Sequence, residues 1–143
     1  MRNSSALLMA AAMTVVFPVA AQNYPTKPVR IVVVSTPGGS VDTLARAIAP
    51  RLASKWNQQV LVDNRPGAGG AIAAELVAKA PPDGYTLMMG TIASLATNVS
   101  LYKTLPYDPV KDFAPITLVA TQNLVLLVHP SIPSRSGPTR PSW

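Results

Sequence analysis

Two glycine-rich turns are the features of this sequence that best fit chemistry. Residues 36–40 read TPGGS and residues 65–70 read RPGAGG, and each turn separates an apolar run from a stretch of helical spacing. Glycine lets a ligand approach the backbone closely, and a helix N-terminus offers unpaired N–H groups with about half a positive charge. The two turns therefore predict an anion-binding site. The alternative is that the glycines only relieve strain in tight turns.

Other binding and catalytic chemistries find little support. Ile72 stands where a dinucleotide-binding G-x-G-x-x-G motif would need glycine, and no glycine–lysine–hydroxyl run forms a P-loop. Cysteine is absent and the acidic residues have no metal-ligand spacing, so we predict no metal and no cofactor. The single histidine, His129, has no obvious acidic partner, and Ser40 lacks a nucleophile-elbow pattern. We predict a binding protein rather than an enzyme; an exported hydrolase would depend on His129 or Ser40.

Apolar runs that alternate with helical periodicity would position the two turns. This alternation implies right-handed crossovers and a parallel sheet, and the carboxyl edge of that sheet would carry both turns. Beyond residue 91 the rhythm loosens into a proline-punctuated loop before two further apolar runs. The predicted strands are residues 29–34, 59–63, 85–90, 116–120 and 123–128, and the predicted helices are residues 41–52 and 71–79.

Asp42 directly follows the first turn and has two alternative roles. As a carboxylate in the first turn of a helix, it would stabilise that helix by about 0.3–1 kcal/mol through the helix dipole. Alternatively, its side chain would reach the ligand site. Ser40 is an equally good candidate for the helix N-cap, and the spacing leaves these assignments open.

The N-terminus has the three-part pattern of a secretory signal. Arg2 is followed by an apolar run over residues 6–19 and by small residues up to Ala21. This run is shorter than the roughly 20 residues that a membrane-spanning helix needs. We predict cleavage after Ala21 and a periplasmic location; an uncleaved anchor is the alternative. The formal net charge is +6, but the cations are scattered, so we predict no nucleic-acid partner.

Motifs from residue 24 to about residue 133 resemble, in family order, the Bug-type solute-binding receptors of tripartite tricarboxylate transporters. The similarity is specific because so many motifs keep their register. They are YPTKPVR at 24–30, PGGSVD at 37–42, LAR at 44–46, DNRPGAGG at 63–70, PDGYTL at 82–87, LPYDP at 105–109, KDFAP at 111–115 and VHPS at 128–131.

This resemblance implies an α/β fold of the periplasmic-binding-protein type, with a parallel sheet, flanking helices and a second domain that closes on a small organic anion. It implies that backbone amides and ordered waters hold the ligand carboxylate, and that the loaded receptor delivers it to the permease subunits of a membrane transporter. The implied ligand-binding residues are Pro37, Gly38, Gly39, Ser40, Asp42, Ala68, Gly69, Gly70 and Thr91.

The resemblance stops near Pro133, although family members continue, so we expect a truncated or frameshifted receptor. The expected organisation has an incomplete first domain and a second domain that is only begun. Half a cleft should bind weakly, so we expect no detectable dicarboxylate binding by residues 22–143; a dissociation constant below ~10 μM, about 7 kcal/mol, would overturn this expectation. The alternatives are a small secreted interaction module that pairs through a sheet edge, or a remnant without ligand binding.

The expected segments are a signal peptide at 1–21, part of domain 1 at 22–100, a crossover and the start of domain 2 at 101–133, and a non-family, disordered tail at 134–143.

Overall fold

The computed structural model describes residues 24–123, 125 and 131. The predicted signal segment with its cleavage site at Ala21, the histidine His129 and the tail at 134–143 lie outside the described residues. The chain divides into two units, one up to Phe113 and one from Ala114 onward. Every predicted ligand-binding residue falls in the first unit.

Strands and helices alternate in the first unit, as predicted. A 3₁₀ turn at Ala68–Gly70 precedes the second helix, and a π-helical segment at Ala93–Thr97 precedes the third. The elements are β1 Val29–Val33, α1 Ser40–Trp56, β2 Val60–Asn64, α2 Ala71–Ala78, β3 Thr86–Met89 and α3 Asn98–Leu101.

The sheet has three parallel strands in the order β2-β1-β3, which confirms the predicted parallel α/β architecture. The central strand β1 is a nearly continuous β-branched run, as expected for a strand that is covered on both faces. Val33 pairs with Asn64 on one side and with Met89 on the other. Because the strands run in the same direction, their carboxyl ends meet at one edge of the sheet.

The two long helices cover opposite faces of β1. Alternate side chains of a strand point to opposite faces. Ile31 and Val33 pack with Ala45 of α1, whereas Val32 packs with Ala73 of α2. Both alanines are fully buried, so each helix approaches the sheet closely through a small side chain.

Two of the family-like motifs meet at the amino edge of the sheet, away from the glycine-rich turns. The Tyr24 hydroxyl donates a hydrogen bond to the Gly84 carbonyl at 2.6 Å, and its ring packs against Tyr85 and Trp56. Lys27 pairs with Asp83 at 3.0 Å. The motifs at 24–30 and 82–87 therefore join the start of the sheet to the end of α1.

The second unit, as far as it is described, lacks the predicted strand. Residues 114–123 have no regular secondary structure, and Ile116 and Leu118 are exposed. The prediction of a strand at 116–120 is wrong, because strand-type residues form a strand only where a neighbour takes up their backbone hydrogen bonds. Most of the predicted strand at 123–128 lies outside the described residues. None of the helices in the described part of the chain is long and apolar enough to cross a membrane.

Candidate functional site

Three loops leave the carboxyl edge of the sheet, one after each strand. We call residues 34–39 the first loop, residues 65–70 the second loop and residues 90–97 the third loop. Because parallel α/β folds bind ligands at this edge, the structure places the two glycine-rich turns where the sequence predicted them. The predicted ligand-binding residues lie on these loops or on the first turn of α1: Pro37, Gly38, Gly39, Ser40, Asp42, Ala68, Gly69, Gly70 and Thr91.

Gly39 occupies the N-cap position of α1, and no side chain caps this helix by a hydrogen bond. The sequence left the N-cap residue open, and neither candidate occupies that position: Ser40 is the first residue of the helix and Asp42 lies in its first turn. Gly38 adopts a φ of +80°, which favours glycine because it has no Cβ. The N–H of Gly39 donates to the Thr36 carbonyl at 3.1 Å and closes the turn.

Asp42 ties the first loop to both neighbouring elements. Its side chain is buried, with the residue only 2% exposed. The carboxylate accepts hydrogen bonds from the Gly38 N–H at 2.8 Å, the Arg46 Nε at 2.9 Å and the Asn64 Nδ2 at 3.0 Å. Asn64 also donates to the Ser35 carbonyl at 3.0 Å. The first loop, α1 and the end of β2 therefore share one hydrogen-bonded centre.

These donors keep Asp42 ionised. The hydrogen bond from Arg46 contributes most, followed by those from Gly38 and Asn64, and together they lower the pKa of Asp42 from its ordinary 3.8 to about 2. Arg46 balances the charge of this carboxylate at 2.9 Å. Both carboxylate oxygens already accept hydrogen bonds within the protein. A direct contact between Asp42 and a ligand stays a prediction.

The Ser35 hydroxyl lies on the buried side of the first loop. Its oxygen is buried and has no hydrogen-bond partner within the described part of the chain. A Cβ placed on Gly39 would lie 3.1 Å from this oxygen and 3.1 Å from the Thr36 carbonyl oxygen. A side chain at Gly39 would therefore press on Ser35 and Thr36 of the same loop, and the Ser35 hydroxyl can still donate or accept a hydrogen bond.

Left-handed backbone runs through the second loop. Gly67, Ala68, Gly69 and Gly70 have φ values of +126°, +47°, +61° and +89°. Glycine adopts such values without a Cβ clash, so Ala68 is the strained member of the series. Gly70 is the N-cap of α2, and no side chain caps this helix either. The N-termini of α1 and α2 therefore both open toward this edge of the sheet.

The third loop and the helix α3 that follows it support the second loop. Asn98, at the start of α3, is 2% exposed and donates to the carbonyls of Gly69 at 3.2 Å and Ala68 at 3.5 Å. Ser94 is fully buried, and its hydroxyl bridges the N–H and carbonyl of Thr91 at 3.0 Å each. The Ser94 hydroxyl therefore fixes the backbone of Thr91 within the third loop, and Asn98 of α3 joins the second loop to the segment that follows the third.

Three residues of this arrangement escaped the sequence analysis. Asn64 lies within the DNRPGAGG motif, so the motif itself was a signal for it. Tyr107 lies within LPYDP, and its buried hydroxyl donates to the Ser94 carbonyl at 2.6 Å. Asn98 carries no sequence signal, because its partners lie about thirty residues earlier and neither motif nor periodicity includes it.

The predicted residues form an open edge rather than an enclosed pocket. Pro37, Gly38, Ala68 and Gly69 are exposed. Two shallow depressions of about 350 and 460 Å³ lie elsewhere, one around Tyr102 to Val110 and one between α1 and β2. Among the described residues, no group of three acidic or histidine side chains is placed to hold a metal ion.

Comparison with known proteins supports the resemblance seen in the motifs. A family model described as "Tripartite tricarboxylate transporter family receptor" matches residues 44–137. A Rhodopseudomonas palustris structure of MatC with bound malate is 41% identical, with a TM-score of 0.64 over 67% of this chain and 33% of that one.

Two further structures agree. An R. palustris protein with adipate is 49% identical, with a TM-score of 0.59 over 61% of this chain and 29% of that one. The periplasmic binding protein BugD is 40% identical, with a TM-score of 0.59 over 65% of this chain and 31% of that one. The chain spans about a third of the length of the curated relatives it matches. These findings confirm the predicted Bug-type resemblance and the predicted binding-protein fold.

Proposed function

This chain belongs to the tripartite tricarboxylate transporter receptor family, and on that premise we propose that it supplies part of an extracytoplasmic binding site for small organic anions, carboxylates above all. The bound molecules of two similar structures, malate and adipate, are both dicarboxylates. The family is described as a receptor, which favours binding over catalysis.

The observation that carries this proposal is the convergence of two helix N-termini and three loops at one edge of the sheet. α1 and α2 both begin there without a side-chain cap, so their first N–H groups and their dipoles favour a negative charge. Glycines at the exposed turns let a carboxylate oxygen reach the backbone. The proposed ligand contacts are Pro37, Gly38, Gly39, Ser40, Ala68, Gly69, Gly70 and Thr91.

Asp42 has a different place in this proposal. An ionised carboxylate would repel an anionic ligand if its charge were not balanced. Arg46 provides that balance, and the Gly38 N–H is held by Asp42 rather than left to the ligand. We therefore assign Asp42 the task of shaping the first loop, with any direct ligand contact secondary to that.

The transport role extends the same proposal. The signal-like pattern at 1–21 and the periplasmic description of BugD support export of the chain to the periplasm. A receptor there would hand its solute to membrane permease subunits. The proposed segments remain 22–100 for domain 1, 101–133 for the crossover and start of domain 2, and 134–143 for the tail.

The experiment is a titration of the ¹⁵N-labelled 143-residue chain with malate and adipate, followed by NMR. We expect the backbone amides of Gly38, Gly39 and Gly69 to shift together, with a dissociation constant weaker than ~10 μM. We expect weak binding by these 143 residues because they correspond to only about a third of the length of the relatives they match. Adipamide, which has the shape of adipate without its charges, should produce no such shifts.

A matched variant separates the loop edge from general attraction to cations. Lys103 lines the depression near Tyr102 and is exposed. Lys103→Gln should leave the titration unchanged, since the proposed contacts lie on other loops. The proposal fails if malate leaves the glycine amides unmoved at tens of millimolar, or if adipamide moves them equally.

A further inference from the structure

We propose that Asn98 is a positioning residue that holds the second loop so that the Gly69 N–H faces the bound anion, an inference that rests on the proposed function. The side chain of Asn98 is almost completely buried and lies against the inner side of the loop. It donates from Nδ2 to the Gly69 carbonyl at 3.2 Å and to the Ala68 carbonyl at 3.5 Å.

Because the peptide bond is planar, these contacts determine the direction in which the Gly69 N–H points. In a trans peptide the C=O and the next N–H point to opposite sides. The peptide between Ala68 and Gly69 is trans, because the cis bond of the described residues is Tyr24–Pro25. When Asn98 holds the Ala68 carbonyl inward, the Gly69 N–H points outward, toward the exposed side of the loop.

The following peptide is held from both ends. The Gly69 carbonyl accepts from Asn98, and the Gly70 N–H donates to the Gly67 carbonyl at 2.8 Å. The Gly70 N–H therefore closes the turn and is not free to donate to a ligand, so any contact of Gly70 with the ligand is made by its other backbone atoms. This leaves the Gly69 N–H as the donor whose orientation depends on Asn98.

Packing prevents the loop from rotating independently. A Cβ on Gly69 would lie 2.9 Å from Asn98 Oδ1, and one on Gly70 would lie 2.9 Å from the Ser94 Cβ. The Ser94 carbonyl is in turn fixed by the Tyr107 hydroxyl at 2.6 Å. Tyr107 also packs against Ala71 and Ala74 of α2. The segment that precedes Asn98 is therefore held in place against α2.

The test compares Asn98→Asp with Ser100→Ala in the 143-residue chain. Asn98→Asp keeps the size of the side chain, removes both N–H donors and adds a negative charge, so weaker malate binding supports the proposal only together with faster exchange at Gly70. Ser100→Ala changes an exposed residue of α3. We expect Asn98→Asp to raise the dissociation constant for malate about tenfold and to speed amide hydrogen exchange about tenfold at Gly70, whose N–H is protected by its hydrogen bond to the Gly67 carbonyl. Exchange at Val32, in the centre of the sheet, should stay unchanged, and Ser100→Ala should change none of these values.

Each outcome decides a separate question. Uniform acceleration that includes Val32 would show a general stabilising role, and faster exchange with unchanged malate affinity would show a local one; either overturns the proposal. If the unmodified chain shows no malate response, the proposed function fails and the ligand role of Asn98 fails with it. The exchange data would still decide whether Asn98 holds the loop.

A measurement on the unmodified chain covers the case in which Asn98→Asp does not fold. The side-chain amide protons of Asn98 should exchange slowly and show nuclear Overhauser contacts to the Gly69 and Gly70 backbone. Rapid exchange of these protons, with no such contacts, would contradict the proposal without any substitution.

Discussion

The two glycine-rich loops are alike in composition and place, but different forces hold them. The first loop depends on a charged centre, in which the Asp42 carboxylate binds the Gly38 N–H, Arg46 and Asn64. The second loop depends on the neutral amide of Asn98 and on close packing against Ser94. The same edge of the sheet therefore contains one loop whose support responds to acid and one whose support does not.

The two supports also differ in their distance along the chain. Asp42 and Arg46 follow the first loop within one or two turns of α1, so its shape is largely local. Asn98 follows the second loop by about thirty residues. The second loop therefore depends on a contact with α3 that is distant along the chain.

The largest expected effect distinguishes the packing of the two loops. Gly70→Ala places a Cβ 2.9 Å from the Ser94 Cβ and 3.1 Å from the Val34 Cβ, at a φ of +89°. The left-handed backbone and the overpacking together should lower the free energy of unfolding by about 2–4 kcal/mol. Gly38→Ala is the matched control, because its φ is +80° but nothing lies within 4 Å. It should cost about 1 kcal/mol in urea unfolding, and equal costs would show that packing does not distinguish the loops.

The second effect tests the charged centre through pH. The folded pKa of Asp42 is about 2 against an ordinary 3.8, so its stabilisation is fully present above about pH 4 and is lost as the pH falls through 2. We expect Asp42→Asn to be less stable than the unmodified chain at pH 7, and the difference to shrink toward pH 2. Urea unfolding between pH 2 and pH 7 measures it. A difference that is independent of pH would contradict the charged support.

A smaller effect on stability should come from Tyr107, which belongs to the uncharged support of the third loop. Tyr107→Phe removes the hydrogen bond to the Ser94 carbonyl at 2.6 Å, in a buried position. The free energy of unfolding should fall by about 1–2 kcal/mol, with no dependence on pH between 3 and 7. Tyr102→Phe changes a 42% exposed ring nearby and should alter stability by less than about 0.5 kcal/mol. Equal effects of the two substitutions would remove Tyr107 from the support of the third loop.

The smallest effect on stability should come from Arg46, which is largely exposed. Since its hydrogen bond is the main cause of the low pKa of Asp42, Arg46→Gln should raise that pKa from about 2 toward 3.8. An NMR titration of the Asp42 carboxyl carbon measures this directly. Arg51→Gln, on an exposed position of the same helix, should leave that pKa where it is. A pKa unmoved by Arg46→Gln would assign the low value to Gly38 and Asn64 instead.

The sheet and its loops were predictable from sequence because their signals are local. The β-branched run at Val29–Val33 and the turn chemistry at Gly38 and Gly67–Gly70 depend on neighbouring residues. The ends of the strands were predicted to within one or two residues. The parallel order followed from the alternation of strand and helix, which leaves few topologies open.

The supports of the loops were not predictable, because they depend on contacts between distant residues. Asp42 could be placed on the first turn of α1, but its three partners could not be known without the fold. The role of Asn98 could not be predicted either, because it depends on a hydrogen bond to Gly69, which lies about thirty residues earlier in the chain. The strand expected at 116–120 failed for the related reason that a strand needs a partner as well as suitable residues.

The order β2-β1-β3 places the earliest strand at the centre. As the chain is synthesised, at about 5–20 residues per second, β1 emerges first and meets neither partner until the later strands follow. Its pairing of Val33 with Met89 cannot form for roughly several seconds. Once Asn64 has emerged, β2 can pair with one edge of β1, but the other edge stays open until Met89 follows, and an open edge invites pairing with other nascent chains.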